Sequence, residues 1–234
     1  MTDQSSETFP FAAVIFDMDG VLVDTEFYYA QMLVDYAAEH GMPVPLEEIH
    51  GMVGASHQVF RASMRDWWRR VGVDLSEDEA LARERAWEDK RSIDYAALMN
   101  PGVPETLDVL AARGVRLAVA SSSQLKNIHE VLAACGILDR FEVVTSGEQF
   151  RESKPDPEIY LHTLEVLGLP ASVCCCVEDS VPGITAGKRA GLTVIAKREE
   201  RFGFSQAGAD SIIDQIPDLL MVRGEGSRAP RVRG

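Results

Sequence analysis

Two carboxylates stand one residue apart in Asp17-Met18-Asp19-Gly20-Val21-Leu22-Val23-Asp24-Thr25, directly after the apolar run Ala12-Ala13-Val14-Ile15-Phe16. Like charges this close repel unless a cation or a proton comes between them, so the pair predicts either a divalent metal or one protonated acid. A second acidic pair, Glu178-Asp179, follows Val173-Cys174-Cys175-Cys176-Val177. Two further segments carry reactive side chains, Ser121-Ser122-Ser123 and Ser153-Lys154-Pro155-Asp156-Pro157. Each has an ordinary reading when taken alone. Hydroxyls cap helices, acids beside an N-cap complement the helix dipole, and a single lysine is usually solvated. Taken together, a carboxylate pair, a hydroxyl, a lysine and a second acidic pair at the ends of apolar runs read as one catalytic site.

The apolar runs are the elements that must position these groups. Short stretches rich in Val, Ile and Phe that end in Asp, Ser or Gly predict buried strands at 12–16, 115–120, 141–145, 173–177 and 192–196. Side chains two apart on an extended backbone point the same way, so Asp17 and Asp19 are expected to converge. Helical spacing appears in Val103, Leu107, Leu110 and Ala111 before Gly114, and in Leu125, Ile128, Val131, Leu132 and Cys135 before Gly136. Further helices are expected near 157–167, with Asp156 as N-cap and Pro157 at its first position, and near 181–190, capped by Ser180. Capping is also the reading for Ser123. Proline after Lys154 holds that residue extended, with a cis bond as an option. Alternating strands and helices predict an α/β fold, a Rossmann-like parallel sheet flanked by helices on both faces, with ligands at the carboxyl ends of its strands.

Asp17 and Val115 are 98 residues apart, whereas a strand-helix-strand unit takes about 30. Long stretches without Pro or Gly, Glu26 to His40 and Ser76 to Leu98, fill much of the interval. The expected organisation is a core from 1–24 and 99–222 and an inserted all-α cap domain over 25–98. The cap would be entered near Asp24-Thr25 and left near Asn100-Pro101-Gly102. Trp67, Trp68 and Trp87 are read as cap packing. A tail over 223–234, carrying four arginines but no periodic apolar residues, reads as disordered.

Composition narrows the function. The 234 residues carry a formal net charge of −14, from 23 basic and 37 acidic side chains. Nucleic acid is therefore an unsuitable partner, and an anionic substrate must be met by a metal or a few placed lysines. No apolar stretch approaches the roughly 20 residues of a membrane span. The polar, acidic start lacks the basic and apolar regions of a signal peptide, so a cytoplasmic location is expected. Cys174, Cys175 and Cys176 are adjacent and suit neither a disulfide framework nor a zinc site. They and Cys135 are read as small buried apolar residues.

With these motifs in place, the chain resembles the haloacid dehalogenase superfamily, in its phosphatase and β-phosphoglucomutase-like branch. The residues that carry the resemblance are Asp17-x-Asp19-Gly20-Val21-x-x-Asp24-Thr25, Ser121, Lys154 and Glu178-Asp179, and it extends from about Phe11 to Leu220. It implies that Asp17 attacks phosphorus to form an aspartyl-phosphate, and that Asp19 serves as general acid and then general base. It implies Mg2+ as cofactor, held by the Asp17 side chain, the Asp19 backbone carbonyl, Asp179, and Glu178 directly or through water. Ser121, the backbone at Ser122, and Lys154 would bind the phosphate. From the cap, Glu26 and Tyr29 would face the cleft, and the Gly54-Ala55-Ser56-His57 segment would bring His57 to the substrate. The implied function is a phosphatase acting on a small phosphomonoester, a sugar phosphate, with a monomer as the expected state. In β-phosphoglucomutase a histidine stands at the position of Tyr29 and an arginine at that of His57, so hydrolysis is expected over mutase activity. A receiver-like signalling protein and a non-catalytic metabolite-binding protein are the alternatives of another class. Receivers are about half as long and place their phosphorylated aspartate on a later strand.

Overall fold

Ala13–Phe16 has no polar side chain and forms β1, with all four residues fully buried in the computed structural model, which describes residues 9–53 and 57–223. Five more strands join it: β2 (Arg116–Ser121), β3 (Val143–Ser146), β4 (Cys174–Glu178), β5 (Thr193–Lys197) and β6 (Ser211–Ile213). Every pairing is parallel, and the order is β3-β2-β1-β4-β5-β6. Connections run outward in opposite directions from β1 and β4, which makes their junction the switch point where open α/β sheets bind ligands. Register places Phe16 beside Val119 and Val177, so the chain leaves β1, β2 and β4 on one edge.

Strands covered on both faces read as unbroken apolar runs, and this is the form seen here. Val14, Phe16, Cys175 and Val177 face one cluster with α6 (Val103–Ala112) and α7 (Leu125–Ala134). Ala13, Ile15, Cys174 and Cys176 face the other with α8 (Glu158–Leu167) and α9 (Val181–Arg189). All four cysteines are free and buried. Burying one large aliphatic or aromatic side chain such as Ile15 or Phe16 contributes about 1.5–3 kcal/mol. Two details differ from the sequence reading. Pro157 itself occupies the N-cap of α8, while Asp156 accepts from the Glu158 amide at 2.9 Å. Ala111 is exposed, because α6 turns it away from the sheet. Strand β6 was not anticipated; three residues at a sheet edge leave too short an apolar pattern.

Between β1 and β2 the chain forms α1 (Thr25–Glu39), α2 (Leu46–His50), α3 (His57–Arg70), α4 (Glu77–Glu88) and α5 (Tyr95–Leu98). The first four of these helices bury a cluster of their own, which includes Tyr36, Met64, Trp67, Trp68 and Trp87, whereas Tyr95 and Leu98 of α5 pack against the cluster of the sheet. The indole N–H groups of the three tryptophans donate to Glu48, Tyr36 and Glu39 at 2.8, 3.2 and 2.6 Å, so the rings are packing elements as expected. Ser76 and Glu79 form a reciprocal capping box that starts α4. The stretch from Ser76 to Leu98 is not one helix; α4 stops at Glu88, and Asp94 caps α5 afresh through the Ala97 amide.

The two connections to this insert are bonded to each other. The Asp24 amide donates to the Leu98 carbonyl at 2.8 Å and the Asn100 amide to that of Leu22 at 2.9 Å. A segment after β5 also reaches across: Arg201 donates to both oxygens of Asp24 at 2.7 Å and also pairs with Glu199. Next to it, Phe202 packs against the cluster of the insert. Among the described residues no helix is long and apolar enough to cross a membrane. The expected tail lies, beyond Arg223, outside the described residues.

Candidate active site

β1 ends at Phe16, and the Asp17 amide still bonds the Val177 carbonyl at 2.9 Å. The chain then turns instead of continuing as a strand: Gly20 has φ +78°, and the Leu22 amide returns to the Met18 carbonyl at 2.9 Å. Asp17 and Asp19 therefore share a pocket by way of a turn, not through the alternation of an extended strand. Met18, between them, is buried in the core.

Different partners hold the two carboxylates. The Lys154 ammonium donates to Asp17 Oδ1 at 2.6 Å, to Glu178 Oε1 at 2.7 Å and to the Ala120 carbonyl at 3.0 Å. Its side chain is only 7% exposed, so the solvated-lysine reading fails, and the Lys154–Pro155 bond is cis. Asp19 accepts from Thr25 Oγ1 at 2.5 Å, Ser123 Oγ at 2.9 Å and Ser121 Oγ at 3.2 Å. Ser123 is thus aimed at Asp19 and does not cap α7, whose N-cap is Gln124. Ser122 is exposed, and its side chain takes no part in these bonds. Glu178 is fully buried and also accepts from Tyr160 Oη, a partner that the sequence hid within the apolar face of α8.

Asp17, Glu178 and Asp179 bring oxygen atoms within 4.8 Å of one another. Both Asp179 oxygens are buried without a donor. A Cβ on Gly20 would lie 1.9 Å from Asp179 Oδ2, and one on Gly183 would lie 2.0 Å from Glu178 Oε2, so glycine at each place admits a carboxylate. From α1, Glu26 turns into the same pocket and faces Asp179 carboxyl to carboxyl, an arrangement that offers a donor only when the two share a proton. Burial raises the Asp179 and Asp17 carboxyls well above the usual range, with the surrounding acids adding to it and Lys154 opposing it at Asp17. Burial and the charges of Asp17 and Asp19 push Glu26 up to about 8. Burial works against the Lys154 ammonium, but Asp17 and Glu178 outweigh it and hold its pKa above that of an ordinary lysine. Two ammonium groups, Lys154 and, acting on Asp179, the buried Lys197, thus face a larger number of carboxylates. Buried oxygen donors with excess negative charge and orphaned lone pairs fit a hard divalent cation.

The structure brings together Asp17, Asp19, Ser121, Lys154, Glu178, Asp179 and Glu26. Residues 54–56 and the side chain of His57 lie outside the described residues. Sequence reasoning gave no site role to Tyr160 or Ser123, and none to Gln206, which donates to the Asp179 carbonyl at 2.6 Å. Only Ser123 carried a signal, as the third hydroxyl of its run.

Known proteins resemble the chain over most of its length. The family model described as haloacid dehalogenase-like hydrolase matches residues 11–191. The chain is 34% identical over 183 residues to YhcW of Bacillus subtilis, named as a phosphatase, covering 78% of this chain and 81% of that one. It is 30% identical over 216 residues to the phosphorylated carbohydrates phosphatase of Thermotoga maritima, covering 89% and 97%. A solved structure described as a predicted phosphoglycolate phosphatase from Haemophilus somnus superposes with a TM-score of 0.76 at 26% identity, over 91% of this chain and 97% of that one. By its strand order, its acidic pocket and these matches, the chain belongs to the haloacid dehalogenase-like hydrolases.

Proposed function

We propose that this enzyme is a Mg2+-dependent phosphatase that hydrolyses a small phosphomonoester, a sugar phosphate, through an aspartyl-phosphate on Asp17. The observation that carries the reading is the division of labour between the two aspartates. Asp17 sits against Lys154 at the base of the pocket, while Asp19 is held by three hydroxyls above it. A carboxylate oxygen of Asp17 attacks phosphorus, and the bond from phosphorus to the alcohol oxygen breaks. Asp19 gives its proton to that departing oxygen, then takes one from the water that releases inorganic phosphate and restores Asp17. Lys154 offsets the charge of the transferring group, and Ser121 donates to one of its oxygens. The cation would be held by Asp17, Asp179, the Asp19 carbonyl and Glu178, and when bound it supplies the positive charge that lets a phosphate approach these carboxylates.

The helical insert over 25–98 would act as the cap that selects substrate and excludes water, with Glu26 at its inner edge. A sugar phosphate is supported by the relative named for phosphorylated carbohydrates. A reducing, cytoplasmic setting suits the four free thiols. The test is phosphate release from p-nitrophenyl phosphate with Mg2+, comparing wild type with Asp17→Asn. The substitution is expected to cost at least about a thousandfold in kcat. Equal turnover by the two proteins would overturn the mechanism. Conversion of β-glucose 1-phosphate to glucose 6-phosphate in the presence of a bisphosphate would replace hydrolysis with mutase activity.

A further inference from the structure

Next to the aspartate pocket lies a cavity of about 850 Å³ whose walls include Tyr29, Glu84, Glu88, Tyr95, Ser123 and Asn127. It is continuous with the proposed chemistry at one end, because the Ser123 hydroxyl that bonds Asp19 is part of its wall. Tyr29, held by Tyr95 at 3.4 Å, stands between the two ends and feels the charges of both Asp19 and Glu88.

The far end is built against the local pattern. Ala80, Leu81, Glu84 and Trp87 are the buried residues of α4, a helical stripe with one carboxyl in an apolar row. Glu84 is 9% exposed, lines the cavity, and has no hydrogen bond or ion pair among the described residues. Glu88 lies one turn further along the same face, its carboxyl likewise with no hydrogen bond or ion pair among the described residues, and like charges four apart repel. Burial and the charge of Glu88 push Glu84 up to about 7. Leucine at this position would complete the stripe and stabilise the helix packing, so the carboxyl is costly in the free protein. Arg91, on the same wall, is already engaged by Glu39 and the Trp87 ring.

We infer that Glu84 and Glu88 form the acceptor wall of a leaving-group subsite, which takes a polyhydroxylated alcohol by its hydroxyl donors and rejects a second phosphate. The inference rests on the phosphatase reading above and specifies which sugar phosphates that site accepts. Carboxyl oxygens accept from hydroxyls in either protonation state, whereas an anionic group would enter beside two acids, where the wall's cations are Arg91, already engaged, and Arg85, which is exposed to solvent.

The test compares kcat/KM for a hexitol 6-phosphate, a hexose bisphosphate and p-nitrophenyl phosphate, with wild type, Glu84→Leu and Glu84→Lys. Wild type should prefer the hexitol phosphate to the bisphosphate. Glu84→Leu should lose about tenfold on the hexitol phosphate and stay within about twofold on p-nitrophenyl phosphate, whose leaving group donates no hydrogen bond. Glu84→Lys should shift the ratio toward the bisphosphate. Equal loss on both monoesters, an unchanged ratio in Glu84→Leu, or a wild-type preference for the bisphosphate would overturn the subsite. A folded wild type that releases phosphate from none of the three would instead sink the phosphatase reading itself.

Discussion

Removing divalent metal should leave a protein whose stability falls as the pH rises. Asp17, Asp179 and Glu26 all have folded-state pKa values raised above their ordinary ones by burial and by one another. Between the ordinary and the raised values the folded state binds more protons than the unfolded chain, so stability decreases with pH in that window. For Glu26 the window runs from the ordinary 4.5 to about 8. At about 1.4 kcal/mol per tenfold, that single carboxyl accounts for a loss of at most about 5 kcal/mol by pH 8. The total stability of a domain is of order 5–15 kcal/mol, so the effect is large. A bound cation reverses it, because its ligands must be deprotonated and its affinity rises with pH. The assay is urea denaturation across mildly acidic to mildly basic pH, in EDTA and in excess Mg2+. The EDTA series should slope downward, and the Mg2+ series should be flat or rise. Glu26→Gln should flatten the EDTA slope. A metal-free protein that gains stability toward pH 8, or a slope indifferent to Glu26→Gln, would refute the reasoning.

Other substitutions probe the same framework. Lys154→Met leaves Asp17 and Glu178 buried without their shared cation and should cost about 3–5 kcal/mol in EDTA by chemical denaturation, with loss of turnover in Mg2+. Gly20→Ala forces a side chain into φ +78° and against Asp179; it should lose about 1–2 kcal/mol from backbone strain alone. The same variant should need at least about tenfold more Mg2+ for half-maximal thermal stabilisation, which a thermal-shift titration would show. Arg201→Ala frees Asp24 and strips buried Glu199 of its guanidinium, at a cost of about 2 kcal/mol in urea melts. Arg201→Lys should restore little of it, because the two-pronged contact needs the planar fork.

The sheet was legible because a strand covered on both faces must be apolar throughout, and 13–16, 116–121 and 174–178 are nearly so. The carboxylates at their ends were legible because acids seldom follow such runs by accident. Side-chain partners drawn from helices were not. Tyr160 looks like one more apolar-face residue of α8, and only the packed structure points its hydroxyl at Glu178. Ser123 had two competing uses, cap or ligand, and local sequence favours the nearer one; the turn through Gly20 brought Asp19 within its reach. Glu84 was silent for the opposite reason. Charged residues on a helix are read as solvated, and only the position of Leu81 and Trp87 on the same face reveals that this one is inside.

The stitching of Leu22 and Asp24 to Asn100 and Leu98 gives the helical insert a ribbon for a support where two loose threads would have sufficed topologically. Neither connection can shift without breaking these bonds or carrying the other with it. Glu26 and Tyr29, which follow directly on this paired stem, inherit their placement beside the aspartates from it, and a lesion in either connection is felt by both.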